Sequence, residues 1–148
     1  MKLMKLTVVA ALIAAVWTVG VLQNVRAEQD TTTWSGVYTE EQAQSGAAMY
    51  AKVCSECHLE DLAGDGFAPA LRGPEFLSNW NGLTVGDLFE RIRVSMPPSE
   101  PNSVTPKEKA AILAHILKSD GFPAGQVELA AETTPLKAIK FEATKPGR

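Results

Sequence analysis

The sequence predicts an all-α chain in which three to five helices are joined by long loops. Three observations carry this. Small and apolar residues recur at helical spacing, as in Ala43, Gly46, Ala47 and Tyr50. Helix starts are written as capping signals, with Thr39 followed by Gln42 and Thr105 followed by Glu108. No window alternates apolar and polar residues as a strand does, and glycine and proline clusters separate the helical windows.

The elements follow in order. Residues 6–22 carry no charge, Lys2 and Lys5 precede them, and Val25-Arg26-Ala27 follows. This is the pattern of a secretory signal peptide spanning residues 1–27. The apolar run of 17 is long for a signal core and just short of a comfortable membrane span, so an uncleaved N-terminal anchor is the alternative. Both readings export the remainder. Residues 28–38 read as an extended lead-in whose Trp34 and Tyr38 rings dock on the body.

A domain over residues 39–121 comes next, with a C-terminal tail, 122–148, packed on it. Its first helix runs from Glu40 to about Val53. Glycine costs a helix interior about 1 kcal/mol against alanine, so Gly46 points to a second helix crossing closely there. The helix ends at Cys54-Ser55-Glu56-Cys57-His58. Residues 59–73 contain Gly64, Gly66, Pro69 and Gly73 and cannot be a regular element, yet must bury Leu62, Phe67 and Leu71. Asp61 and Asp65 lack the ligand spacing of a calcium loop and read as solvated.

Pro74 suits the first turn of a short helix, Glu75 to Trp80, which Asn81-Gly82 breaks. Thr84 caps another, from Val85 to about Val94, with Leu88, Phe89 and Ile92 facing inward. Met96-Pro97-Pro98 prevents its continuation. The last long helix spans about Pro106 to Lys118 and stops at Gly121. In the tail, Leu136, Ile139 and Phe141 are the residues expected to pin it down.

The chemistry sits in the pentapeptide. Two thiols three positions apart can reach the two vinyl groups of one porphyrin edge, and the histidine that follows lies where an imidazole nitrogen can bind iron. Cys54 and Cys57 are the only cysteines, so the motif implies one covalently attached haem c, with His58 as an axial ligand. A redox-active dithiol would need a strand before the motif, whereas a helix precedes it. A structural zinc site would need four ligands, and only His115 remains to help.

A second axial ligand decides what such a centre can do. Met49 lies in the helix leading into the motif, too near in sequence to reach the far face, and His115 lies on an apolar helix face where packing is the usual role. Met96 lies 38 positions after His58 on a proline-stiffened turn that presents a thioether at little entropic expense. A His58–Met96 pair favours ferrous iron and leaves no open position for oxygen or peroxide. That points to one-electron transfer and away from enzymatic catalysis; no second titratable cluster is poised for acid–base work. After residue 27 the chain holds 11 basic and 17 acidic side chains, a net charge of −6. That sign disfavours nucleic acid and favours a basic face on a protein partner.

In this order of elements the chain resembles the class I c-type cytochromes. More narrowly, Gly36-Val37-Tyr38-Thr39, the run from Gly73 to Trp80, Ser95-Met96-Pro97-Pro98 and Gly121-Phe122-Pro123-Ala124-Gly125 are similar to segments of the small cytochromes and cytochrome domains that accompany quinoprotein (PQQ-dependent) dehydrogenases. The resemblance implies a class I cytochrome c fold around one haem. It further implies that the Pro69 carbonyl accepts a hydrogen bond from His58, that Leu71 and Trp80 line the haem pocket, and that Arg72 faces either the propionates or solvent. His115 stands where such proteins often carry an aromatic residue. The resemblance implies a periplasmic carrier of electrons, with a dehydrogenase of the quinoprotein kind as donor and a terminal oxidase or another cytochrome as acceptor. The alternatives are a fixed subunit of a larger oxidoreductase, or a peroxidase-type haem enzyme in which Met96 leaves the iron.

Overall fold

The computed structural model describes residues 31–147, so the signal or anchor expected over 1–27 lies outside the described residues. The four expected helices are α1 (Glu40–Val53), α3 (Gly73–Trp80), α4 (Val85–Ser95) and α5 (Pro106–Ser119); the single turns α2 (Ser55–His58) and α6 (Thr133–Leu136) complete the set. Among the described residues there is no strand, only isolated bridges from Lys140 to Thr32 and Thr84. The fold is all-α, as the sequence indicates.

The caps explain why the helices start where they do. The Thr39 hydroxyl accepts from the Gln42 N–H, and Thr84–Asp87 and Thr105–Glu108 form reciprocal capping boxes. Helices α1 and α5 then cross at Gly46. A β-carbon there would lie 1.8 Å from the Ala111 carbonyl oxygen, so the two backbones touch and no larger residue fits. Around this crossing Tyr50, Leu113, Ala114, Ile116 and Leu117 are buried, and Leu88 and Phe89 of α4 join them. Each of the leucine, isoleucine and phenylalanine side chains among them contributes about 1.5–3 kcal/mol relative to exposure.

The lead-in and the tail close the other side of the core. Thr32 caps a short 3₁₀ turn at Thr33–Ser35, so this part of the lead-in is coiled where the sequence predicts an extended segment: the Thr32 hydroxyl captures the Trp34 N–H. Trp34 packs edge-on against Phe122 with ring centroids 4.8 Å apart, and its indole N–H donates to the Glu142 carbonyl at 2.8 Å. The tail is fixed by the Gln42 side chain, which donates to the Leu129 carbonyl at 2.9 Å and accepts from the Leu129 N–H at 2.8 Å. Leu129, Leu136 and Phe141 are buried, while Ile139 is half-buried.

One expectation about burial is not met by the chain's own atoms. Leu62 is buried and Leu71 half-buried, but Phe67 is fully exposed. The Asp65 carboxylate accepts from both the Phe67 and Ala68 N–H groups, and Gly66 has φ +92°. This tight turn fixes the loop tip at a point where the ring projects away from the chain's own core.

Candidate haem-attachment site

The site begins where α1 ends. The Cys54 N–H still donates to the Tyr50 carbonyl, and the Cys54 carbonyl then accepts from both Cys57 and His58 at 3.2 and 2.9 Å. The motif is thereby wound into α2. Residues three apart on a helical turn share a face, which sets the two thiols side by side, Cys54 half-buried and Cys57 exposed.

His58 is 8% exposed, and its Nδ1 lies 2.8 Å from the Pro69 carbonyl oxygen. A carbonyl can only accept, so Nδ1 carries a proton, and in the neutral ring the lone pair then resides on Nε2. The surrounding loop is built to hold this contact. The His58 carbonyl accepts from the Gly64 N–H at 3.0 Å, and the Leu62 carbonyl from the Leu71 N–H at 2.8 Å. At Gly64 a β-carbon would sit 2.3 Å from the Ala68 carbonyl oxygen, so the loop folds on its own backbone and delivers Pro69 to the imidazole.

Leaving α2 requires a sharp reversal. Leu59 has φ +62° and Leu62 φ +63°, a region that non-glycine residues adopt at a cost of about 1–3 kcal/mol. The Tyr50 hydroxyl donates to the Leu59 carbonyl at 2.7 Å and holds the first of these in place. Burial, with smaller contributions from Cys54 and Asp61, pushes the Tyr50 pKa well above its ordinary value, so it remains a donor.

The residues fit a covalent haem c. Two free thiols share one turn, and a buried imidazole beside them is fixed in the tautomer that leaves Nε2 available to iron. They fit a redox dithiol poorly. Reactive C-x-x-C thiols have lowered pKa values, whereas burial and then the neighbouring Cys57 push Cys54 up to about 11.

The remaining candidates lie on other elements. Met96, half-buried, caps α4, its N–H donating to the Ile92 carbonyl at 3.1 Å; the Met96–Pro97 peptide bond is cis. Trp80 ends α3, half-buried, its ring 6.4 Å from that of Phe76. Arg72 is exposed just before α3. Met49 is half-buried against the core. His115 lies against Tyr50 with ring centroids 5.3 Å apart, and burial, followed by Lys118, lowers its pKa so that it is neutral near pH 7.

Three supporting residues escaped the sequence reading. By helical spacing Tyr50 is a packing residue, and its hydroxyl bond to Leu59 depends on a loop reversal that no local pattern announces. Asp120 caps α3 from the end of α5, accepting from the Gly73 N–H at 2.7 Å; burial raises its pKa, and Oδ2 has no hydrogen-bond partner among the described residues. Lys109 is buried, and here a signal existed: a lysine on the helix face that continues with Leu113 and Ile116.

Comparison with known proteins gives one finding. The sequence model of the family described as cytochrome C oxidase, cbb3-type, subunit III matches residues 41–116, the stretch from the first turn of α1 through most of α5. No curated protein and no solved structure matches.

Proposed function

The chain belongs to this family of c-type cytochrome domains and is an electron-transfer protein rather than an enzyme, and we propose that it carries single electrons in the periplasm between a dehydrogenase and a respiratory acceptor. The observation that carries the reading is the His58 imidazole, tied through Nδ1 to Pro69 one residue after a pair of thiols on a single helical turn. When bound, the haem supplies an iron that alternates between ferrous and ferric states.

The residues take these roles. Cys54 and Cys57 form the thioethers, and because the chain has no other cysteine there is one haem. His58 offers Nε2 to the iron in an orientation set by Pro69. Met96 would hold the iron through its thioether opposite His58, which would favour the reduced state. Leu71 and Trp80 complete the pocket wall. With His58 and Met96 both holding the iron, the protein would exchange electrons with redox partners and hold no substrate.

The donor we favour is a quinoprotein dehydrogenase, on the similarity of the segments at Gly36, Gly73, Ser95 and Gly121, and the acceptor a terminal oxidase or another cytochrome. A fixed subunit of a larger oxidoreductase is the second reading, favoured by the family's own description as an oxidase subunit. Cleavage after Ala27 suits the diffusing carrier, and retention of 1–27 as an anchor suits the subunit.

The test is an absorption spectrum of the matured protein with and without reductant, repeated for Met96→Ala and in the presence of carbon monoxide. The carrier shows a low-spin haem in both states, a thioether-to-ferric-iron charge-transfer band that Met96→Ala abolishes, and no ready carbon monoxide binding. A wild type without that band takes Met96 off the iron. Mass spectrometry of the same sample reads haem attachment and the cleavage point, and co-purification with a partner distinguishes the subunit.

A further inference from the structure

Among the described residues Lys109 is the only buried lysine, arginine or carboxylate, 2% exposed in the first turns of α5. Burying an ammonium group is strongly unfavourable unless its protons find partners. Burial, followed by the nearby Arg93 charge, lowers its pKa. An apolar side chain, as at Leu113 one turn on, would fill the position without it. The lysine therefore has another use.

Its partners identify that use. Nζ donates to the Arg93 carbonyl at 2.9 Å and to the Pro101 carbonyl at 2.5 Å. In a continuing helix the Arg93 carbonyl would accept from the N–H of residue 97, but that residue is proline and has none. Lys109 supplies the missing donor at a helix C-terminus, where positive charge is also favoured. Its second bond reaches the first residue of the 3₁₀ turn Pro101–Ser103. One nitrogen thus joins the two ends of the segment that carries Met96, which lies three residues after Arg93 and five before Pro101. Ammonium and amine alike can donate both bonds.

Building on the reading of Met96 as axial ligand, we propose that Lys109 is a positioning residue for it: a buried clamp that closes the Met96–Pro101 turn and keeps the thioether on the iron. The experiment uses the ferric holoprotein and two readouts, the thioether-to-iron charge-transfer band and the affinity for added imidazole, which competes with Met96. In Lys109→Met the band weakens and imidazole binds more tightly by about tenfold, the equilibrium effect of roughly one lost hydrogen bond. Lys109→Gln, one atom shorter but still polar, shifts both readouts in the same direction and serves if the methionine variant does not fold. Phe141→Leu, a core change in the tail, lowers stability without moving either readout.

A full-strength band with imidazole affinity within about twofold of wild type, in variants whose parent shows the band, overturns the clamp and leaves Met96 ligation standing. An equal shift in Phe141→Leu also overturns it, since general loosening would then suffice. A parent without the band fails at the earlier step and removes both readings.

Discussion

Gly46→Ala tests the helix crossing on which the site is mounted. On an exposed helix this change stabilises by about 1 kcal/mol, because alanine is the better helix former. Here the new methyl would stand 1.8 Å from the Ala111 carbonyl oxygen, 2.3 Å from its carbon and 2.9 Å from the Ile112 nitrogen. All three atoms are backbone inside α5 and cannot rotate aside, so α1 and α5 must separate until the contact reaches ordinary van der Waals distance. Overpacking of this kind costs about 1–3 kcal/mol, and backbone against backbone belongs at the upper end. Net destabilisation of about 2 kcal/mol or more is expected from denaturant unfolding of the holoprotein at unchanged m-value. Gly66→Ala supplies the contrast, since nothing lies within 4 Å of a β-carbon there and only its φ of +92° opposes the change. Its loss should be about 1 kcal/mol. A neutral or stabilising Gly46→Ala would refute the close crossing.

Further outcomes follow from single contacts. Tyr50→Phe deletes the donor to the Leu59 carbonyl and should lower stability by about 1–2 kcal/mol, with faster amide exchange in residues 59–64 as the local check. Gln42→Ala strands both the N–H and the carbonyl of Leu129, so proteolysis should begin within residues 126–135 of the folded protein while the haem spectrum is kept. His115 has a folded pKa below its unfolded value of about 6.5, because burial and then Lys118 oppose the charged form. The unfolded state therefore binds the proton first. The stability His115 contributes is present above pH 6.5 or so and is lost as pH falls from there through the lower folded pKa. His115→Phe should flatten that part of the stability–pH curve, and an unchanged slope between pH 5 and 7.5 would remove His115 as its source.

What the sequence disclosed and what it hid separate along a physical line. Local signals were legible: Thr39, Thr84 and Thr105 cap helices at the residues where capping chemistry places them. Gly46 announced a close approach because a mid-helix glycine is otherwise unfavourable. The pentapeptide declared its chemistry through spacing alone. The misses are long-range or conformational. Phe67 looked like core because it is apolar, but exposure is decided by the Asp65 turn around it. The reversals at Leu59 and Leu62 have no glycine to mark them and exist because Tyr50 and the Leu71 N–H hold the strained backbone. Lys109 serves carbonyls 16 and 8 positions earlier in the chain, a relation that helical periodicity can flag but cannot interpret.

These contacts converge on one frame. Tyr50, one turn beyond Gly46 on α1, fixes the backbone that leaves His58. Lys109, two residues before Ala111 on α5, fixes the segment that carries Met96. The two proposed axial ligands are thus each secured by a side chain from one of the helices that meet at Gly46 and Ala111. If that crossing sets the ligand geometry, a disturbance at Gly46 must reach both ligands although the atoms nearest it belong to Ala111 and Ile112. The Gly46→Ala holoprotein should then bind imidazole more tightly than wild type, and combining it with Lys109→Met should give less than the sum of the two effects, because both act through the same pair of helices. Strict additivity would mean that each ligand is held locally and that the helix pair serves stability alone.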